Sequence, residues 1–103
     1  MDIIYQLSRE ACPSCRAVKK YITDLKDPKF EYRYIDIDKP IEKGTIVEEI
    51  LNKARLRNIK SLPIIAVAKF EDNVEYFDNF ILLNSETFLK IDELNSSKEI
   101  ESK

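Results

Sequence analysis

The spacing of hydrophobic and polar positions changes along the chain and predicts both strands and helices. Residues 2–7 are rich in β-branched and aromatic side chains, which is typical of a strand. Apolar side chains then recur every three or four positions between Cys15 and Leu25, which predicts one buried face of a helix. Pro13 suits the first helical position, where its missing N–H costs nothing. Residues 30–38 predict a second strand.

A second helix and a β-hairpin are predicted next. Thr45 and Glu48 form a capping-box pattern, so a helix is expected from this point to about Arg57. The continuous apolar segment at residues 64–70 predicts a buried strand. Turn-forming residues follow it, and residues 74 to about 77 are expected to pair back as a hairpin.

The end of the chain predicts one more helix and a tail. Asn84 or Ser85 can cap a last helix that carries Phe88. The resulting order β-α-β-α-β-β-α predicts an α/β fold, in which a four-stranded mixed sheet is flanked by three helices. We expect a single domain at residues 1–94 and a polar, mobile C-terminal tail at residues 95–103.

Composition restricts the kinds of partner. The 103 residues suffice for one domain, and a hydrophobic share of 44% argues against wholesale disorder. A net charge of −2 gives no global electrostatic reason to expect a nucleic-acid or anionic-membrane partner. The longest apolar run, residues 64–68, is too short to span a membrane, and the N-terminus does not resemble a secretory signal. We therefore expect a soluble, cytoplasmic monomer.

Two cysteines carry the candidate chemistry. The chain has no histidine and one glycine, Gly44, which excludes histidine-based catalysis and a glycine-rich phosphate loop. A structural disulfide between Cys12 and Cys15 would contribute only about 2 kcal/mol. A zinc site needs four ligands, and two thiols would supply it only if two chains shared it. The position of the pair, after a strand and at a helix start, favours a redox pair over chance core cysteines.

The helix start gives the two cysteines different roles. Unpaired backbone N–H groups and the helix dipole favour the thiolate of Cys12, which makes it the expected nucleophile. Cys15 lies one turn later on the apolar face, so we expect it to resolve the mixed disulfide from inside the protein. Five nearby charged side chains sum to +3: Arg9, Glu10, Arg16, Lys19 and Lys20.

Two motifs make the chain resemble the thioredoxin-fold family, and glutaredoxins most closely. One is Cys-Pro-Ser-Cys at residues 12–15, where glutaredoxins carry Cys-Pro-Tyr-Cys. The other is Ser-Leu-Pro at residues 61–63, where glutaredoxins carry Thr-Val-Pro. The resemblance implies a thiol-disulfide oxidoreductase with a cis peptide bond before Pro63. It also implies that the backbone of Leu62 binds glutathione or a peptide as a short added strand.

The resemblance also implies the remaining site residues and partners. Arg9 and Lys60 are the nearest candidates to bind the glutathione carboxylates, and Asp78 could cap the last helix or bind an ammonium group. The expected substrate-binding residues are Pro13, Ser14, Leu62, Pro63, Arg9, Lys60 and Asp78. The implied reductant is glutathione or a reductase, with no bound cofactor and no metal. Protein disulfides, such as that of a ribonucleotide reductase, are the implied substrates.

The chain also departs from glutaredoxins. Residues 77–80 contain no glycine where glutaredoxins have a Gly-Gly pair, and Ser14 replaces an aromatic residue. Two other functions therefore stay open. Regulators similar to arsenate reductase carry a CxxC followed by arginine, as Cys15 is here by Arg16, although they tend to have Arg-Pro rather than Ser-Leu-Pro. Some glutaredoxins form dimers that share an iron–sulfur cluster, which here would bind through Cys12.

Two further groups of side chains are interpreted without a catalytic role. The tyrosines on the predicted strands are expected to pack against neighbours rather than stack on bases: Tyr5, Tyr32, Tyr34 and Tyr76. Four acidic side chains are expected to form a solvated hairpin: Glu71, Asp72, Glu75 and Asp78.

Overall fold

The computed structural model describes residues 1–101, with side chains described up to residue 96. Its seven elements confirm the predicted order. They are β1 (Asp2–Ser8), α1 (Pro13–Thr23), β2 (Phe30–Asp36), α2 (Ile46–Leu56), β3 (Ile64–Glu71), β4 (Val74–Ile81) and α3 (Thr87–Glu101).

The four strands form one mixed sheet in the order β2-β1-β3-β4. β1 pairs in parallel with β2, placing Tyr5 opposite Arg33, and antiparallel with β3, placing Tyr5 opposite Ala66. β3 and β4 form the antiparallel hairpin. All seven residues of β1 are buried, because the strand lies inside the sheet and both of its faces are covered.

The sheet separates two hydrophobic layers, since successive side chains of a strand point to opposite faces. On one face, Ile3, Tyr5 and Leu7 of β1 pack with Ile50 and Ala54 of α2. On the other face, the sheet packs against helices α1 and α3. A second set of side chains is buried there: Ile4, Val18, Ile22, Phe30, Ile65, Val67, Ile81 and Ile91.

The predicted starts of α1 and α2 are confirmed, whereas α3 begins at Thr87 rather than directly after Asn84 or Ser85. Pro13 is the first residue of α1. The Thr45 side chain caps α2 by accepting a hydrogen bond from the Glu48 N–H at 3.4 Å. The Glu48 carboxylate reaches back to the N–H of Gly44, at 2.9 Å, one residue earlier than a capping box requires. Gly44 has φ 80°, a conformation that glycine adopts without strain.

The hairpin is longer than predicted. β4 continues from Val74 to Ile81 instead of ending near Phe77, and the connection to α3 therefore begins after residue 81. A register shift between Val67 and Ala68 of β3 leaves Asp78 as the extra residue of a bulge. This bulge allows pairing to continue past a polar stretch that looked like a loop in the sequence.

The last helix is also longer than predicted. α3 runs from Thr87 to Glu101, so residues 95–101 of the predicted tail are helical, while residues 102–103 lie outside the described part of the chain. The sequence after residue 94 contains no glycine or proline that would end a helix. Asn95 also accepts a hydrogen bond from the Lys29 N–H at 2.7 Å. The domain boundary and the mobility of the tail stay predictions.

Within residues 1–101, none of the helices combines the length and the apolar composition needed to cross a membrane.

Candidate functional site

The cysteine pair lies at the N-terminus of α1. Cys12 is the N-cap residue, with extended backbone angles, and its sulfur accepts a hydrogen bond from the Cys15 N–H at 3.2 Å. Cys15 is fully buried among the core side chains of α1, whereas Cys12 is partly exposed. The two residues are joined as a disulfide, with their Cα atoms 5.2 Å apart. One sulfur can therefore be approached from solvent and the other only from within the protein.

The second motif lies against the first. The peptide bond between Leu62 and Pro63 is cis, as the family resemblance implied, and the Pro63 side chain is fully buried. The Ser14 hydroxyl donates a hydrogen bond to the Leu62 carbonyl oxygen at 3.1 Å. The same hydroxyl lies 3.5 Å from the Cys12 sulfur. The fold thus brings together two segments that are 48 residues apart.

A groove of about 980 Å³ opens beside Cys12 and Leu62. The predicted basic residues Arg9 and Lys60 both line it. Sequence reasoning did not identify three further lining residues at the end of β2 and just after it: Asp36, Asp38 and Lys39. The groove is balanced in charge, with three basic and three acidic side chains: Arg9, Lys39, Lys60, Glu10, Asp36 and Asp38.

Arg9 is held in place by an ion pair. Its Nε atom lies 3.0 Å from a carboxylate oxygen of Asp38, and both side chains are more than half exposed. This pair joins the loop after β1 to the loop after β2. The signal in the sequence was the polar stretch that follows each of two parallel strands, whose carboxyl ends meet at one edge of the sheet.

A buried amide side chain is hydrogen-bonded to the backbone of the cysteine pair. Gln6 of β1 is fully buried, and its amide nitrogen donates to the Cys15 carbonyl oxygen at 2.8 Å and to the Ser8 hydroxyl at 3.0 Å. The Tyr32 hydroxyl donates to the amide oxygen of Gln6 at 2.6 Å. Burial raises the pKa of Tyr32 well above its ordinary value, so this hydroxyl keeps its proton. The interpretation of Tyr32 as a packing residue missed this bond.

The other basic side chains near the pair have partners of their own. Arg16 donates to the Glu10 carbonyl oxygen at 3.0 Å, and Lys20 pairs with Asp24 at 2.9 Å. The Lys19 ammonium lies 4.4 Å from the centre of the Tyr34 ring. The Cys12 sulfur instead accepts a hydrogen bond from the Cys15 N–H and lies 3.5 Å from the Ser14 hydroxyl.

The structure does not bring Asp78 to the cysteines. Asp78 is exposed on β4, within the bulge, and it does not cap α3. Its charge acts on Lys69, whose pKa is raised by a hydrogen bond to Asp2 and, to a smaller extent, by Asp78. Lys69 belongs to the end of β3 that lies away from Pro63.

The acidic hairpin also differs from its prediction at one position. The Glu75 side chain is only 23% exposed, because it pairs with Arg33 at 2.8 Å across the sheet. The other three acidic residues of the hairpin are exposed, as expected: Glu71, Asp72 and Asp78.

Comparison with known proteins identifies the fold. The sequence matches no protein-family model and no curated protein. The structure is similar to a crystal structure of a Plasmodium falciparum thioredoxin, with a TM-score of 0.57 and 15% identity over 89% of this chain and 68% of that one. A solution structure of a Thermus thermophilus thioredoxin gives a TM-score of 0.57 and 13% identity, over 94% and 73% of the two chains. The predicted thioredoxin-like α/β fold is therefore confirmed.

Proposed function

We propose that this protein is a glutaredoxin-like thiol-disulfide oxidoreductase that uses Cys12 and Cys15 as a dithiol. The observation that carries the proposal is the asymmetry of the pair. Cys12 is partly exposed at a helix N-terminus with a backbone N–H directed at its sulfur, whereas Cys15 is buried. A structural disulfide would need neither the exposed sulfur nor the adjacent cis-proline segment.

The reaction follows from which sulfur can be reached. The Cys12 thiolate attacks one sulfur of a substrate disulfide, forms a mixed disulfide and releases the first substrate thiolate, which takes up a proton. The Cys15 thiol loses its proton, and its thiolate attacks the Cys12 sulfur and expels the second substrate thiolate. The enzyme is left with the Cys12–Cys15 disulfide. Two glutathione molecules then reduce this disulfide and leave as oxidised glutathione.

The helix N-terminus acts mainly on the leaving group. Lowering a thiol pKa from about 8.5 to about 6 raises the thiolate fraction at pH 7 about thirtyfold. The accompanying loss of nucleophilicity lowers the rate of attack by each thiolate about ten- to eighteenfold, so the net gain is small. The larger benefit arises when a second thiol attacks the other sulfur of a mixed disulfide, because a stabilised Cys12 thiolate leaves faster.

The groove supports glutathione as the reductant. Glutathione carries two carboxylates and one ammonium group, and the groove offers side chains of both signs beside Cys12. In this proposal Lys60 and Arg9 bind the carboxylates, and Arg9 exchanges its partner Asp38 for the ligand. Pro13, Ser14, Leu62 and Pro63 form the wall against which the tripeptide or a protein segment lies. We place the protein in the cytoplasm as a monomer, with protein disulfides such as that of a ribonucleotide reductase as substrates.

One assay with two reductants tests the proposal. The purified protein receives either glutathione with glutathione reductase or a thioredoxin reductase, and the reduction of a small glutathione mixed disulfide and of insulin is followed. We expect turnover with glutathione on both substrates. Cys12→Ser should abolish both activities. Cys15→Ser should keep the reduction of the small mixed disulfide and lose that of insulin.

The possible outcomes separate the related functions. Turnover only with the thioredoxin reductase would replace the glutaredoxin assignment by a thioredoxin one. No turnover with either reductant, together with reversible oxidation of the pair, would indicate a redox sensor. Full activity of Cys12→Ser would contradict the assignment of the nucleophile. Visible absorbance of the reduced protein would indicate a shared iron–sulfur cluster.

A further inference from the structure

The Ser14 hydroxyl has two acceptors and only one proton. It lies 3.1 Å from the Leu62 carbonyl oxygen and 3.5 Å from the Cys12 sulfur. In the disulfide state Cys12 has no S–H, so any hydrogen bond between these side chains must be donated by Ser14. A carbonyl oxygen is a better acceptor than a disulfide sulfur, so the hydroxyl proton is assigned to the Leu62 carbonyl.

Reduction makes the Cys12 sulfur a stronger acceptor than it is in the disulfide. A Cys12 thiolate is a charged acceptor, and hydrogen bonds to charged groups are about twice as strong as neutral ones. The hydroxyl is already within reach of the sulfur, so a rotation of the Ser14 side chain is enough to redirect it. What opposes this rotation is the Leu62 carbonyl, which would lose its partner.

A substrate strand can supply that lost partner. Leu62 directly precedes Pro63 and β3, and within residues 1–101 no group occupies its N–H. Facing residues of an antiparallel pair can exchange two hydrogen bonds, one N–H donated by each chain. A peptide that adds to this segment therefore brings an N–H to the oxygen that Ser14 occupies in the free protein.

We propose that Ser14 is a positioning residue that couples substrate pairing at Leu62 to stabilisation of the Cys12 thiolate. When a peptide backbone N–H binds the Leu62 carbonyl, the Ser14 hydroxyl is released and donates to the Cys12 sulfur. The proposal rests on the proposed function and adds a substrate preference to it. Extended peptide disulfides with a free backbone N–H at the pairing position benefit from Ser14, and small disulfides that cannot pair do not.

The test measures how fast Cys12 leaves a mixed disulfide. In a Cys15→Ser background, Cys12 is linked to the central cysteine of an extended peptide, to the same peptide with that pairing N–H methylated, or to 2-mercaptoethanol. A monothiol, N-acetylcysteine, then attacks the sulfur of the adduct, forms a mixed disulfide with the peptide or small thiol, and releases the Cys12 thiolate. The rate of release is compared for Ser14, Ser14→Ala and Ser14→Thr. Mass spectrometry distinguishes the two routes, because attack at the adduct sulfur leaves Cys12 unmodified, whereas attack at Cys12 leaves N-acetylcysteine on the protein.

We expect Ser14→Ala to slow release from the unmodified peptide about tenfold, which corresponds to the loss of one hydrogen bond to a charged group. Release from the methylated peptide and from the 2-mercaptoethanol adduct should change less than about twofold by the same reasoning. Ser14→Thr keeps the hydroxyl and should restore the peptide rate. Ser14 is exposed, so the alanine variant is expected to fold.

Two results would overturn the coupling. Equal slowing of all three adducts would mean that the Ser14 hydroxyl donates to the Cys12 sulfur whether or not a peptide is paired with Leu62. Unchanged release of all three would mean that Ser14 does not act on the thiolate. Both results are obtained from chemically prepared adducts, so they do not depend on glutathione turnover. Failure of the proposed function itself would appear as absent turnover by the wild-type protein.

Discussion

Two polar clusters lie on opposite faces of β1, and each contains one of two adjacent residues, Tyr5 or Gln6. Gln6 points toward α1 and forms the amide cluster with Ser8 and Tyr32. Tyr5 points toward the α2 face and forms the ionic cluster with Arg33 and Glu75. The amide cluster contains no ionised group, whereas the ionic cluster pairs a guanidinium with a carboxylate.

The ionic cluster ties together strands that are not neighbours. Arg33 of β2 donates to the Tyr5 hydroxyl at 2.6 Å and to Glu75 of β4 at 2.8 Å, and the Tyr5 hydroxyl also donates to Glu75. These side chains cross the strand β3, where Ala66 and Ala68 are small enough to leave room above the sheet. The cluster connects the two edges of the sheet.

The difference shows how the protein separates stability from chemistry. A charged group beside Cys15 would change the ionisation of a buried thiol, since charges at short range shift a pKa by whole units. Neutral donors hold the first turn of α1 without that effect. Among the described residues, every buried side-chain nitrogen or oxygen has a hydrogen-bond partner, so both clusters are complete. We infer that the amide cluster positions the redox pair and that the ionic cluster stabilises the fold.

The largest expected effect comes from breaking the amide cluster. Gln6→Leu removes the donor to the Cys15 carbonyl and leaves the Tyr32 and Ser8 hydroxyls without their buried partner. The free energy of unfolding should fall by about 1–3 kcal/mol. Disulfide reductase activity should fall about tenfold, because a small displacement of a reacting group is costly. Urea denaturation and steady-state rates measure the two effects.

Gln6→Glu sharpens the same test, because it places a charge where the protein has none. A carboxyl buried at this position has its pKa raised by desolvation, so the neutral form is favoured. The variant should therefore be less stable than the wild type at pH 7 and should recover as the pH falls and the carboxyl becomes protonated. Full activity in both Gln6 variants would show that the amide cluster serves stability alone.

Breaking the ionic cluster should lower stability without changing the chemistry. Arg33→Met removes the donor shared by Tyr5 and Glu75, and we expect unfolding to become about 1–2 kcal/mol easier. The upper range for a charged bond is not expected, because the Arg33 side chain is 37% exposed and solvent weakens the interaction. Activity should stay within about twofold of the wild type, since changes far from the reacting groups seldom alter their geometry.

A matched substitution controls for the loss of an arginine. Arg55→Met makes the same chemical change on an exposed part of α2, where the guanidinium donates a hydrogen bond to Asn52 at 3.2 Å. Its effect on unfolding should be within about 0.5 kcal/mol of zero. An activity loss in Arg33→Met comparable to that of Gln6→Leu would erase the distinction between the clusters.

The sequence predicted the elements better than their ends and contacts. The periodicity after Cys15 and the apolar run of β3 depend on local spacing, and both were predicted from it. β4 was predicted too short because the polar residues Asp78 and Asn79 interrupt it, and pairing continues past them through a bulge that depends on β3 rather than on local propensity.

The site was predicted where it is built from short motifs and missed where it depends on the sheet. The Cys-Pro-Ser-Cys and Ser-Leu-Pro segments were identified, and the fold brings them together. Gln6 was overlooked, although a polar residue inside a strand covered on both faces needs a buried partner. Its partner Tyr32 is 26 residues away, on the neighbouring strand, so local sequence could not supply it. Asp78 was assigned to the site only because the end of β4 was misplaced.

Acid should weaken the ionic cluster selectively. Burial alone would raise the pKa of Glu75, but the hydrogen bonds from Tyr5 and Arg33 outweigh it and hold the pKa below its ordinary value of 4.5. The carboxylate therefore contributes stability above pH 4.5 that is lost as the pH falls through the lowered pKa. We expect the stability difference between the wild type and Glu75→Gln to narrow below that pH. A difference that stays constant between pH 7 and pH 3 would contradict the assignment.

Alkali gives the smallest expected effect, and it distinguishes the two clusters by their tyrosines. Burial, together with the hydrogen bond to Glu75, raises the pKa of Tyr5 from 10.0 to about 12. The neutral hydroxyl therefore contributes stability that is complete below pH 10 and is lost as the pH rises toward 12. The pKa of Tyr32 is also raised, mainly by burial.

In a spectrophotometric titration, Tyr5→Phe and Tyr32→Phe should each remove one late-ionising tyrosine. In a Glu75→Gln background, Tyr5 should ionise at lower pH, because the hydrogen bond to a carboxylate and its negative charge are both gone, whereas Tyr32 should not change. A shift of Tyr32 in that background would mean that the two faces of β1 are electrostatically coupled, and the separation of stability from chemistry would then fail.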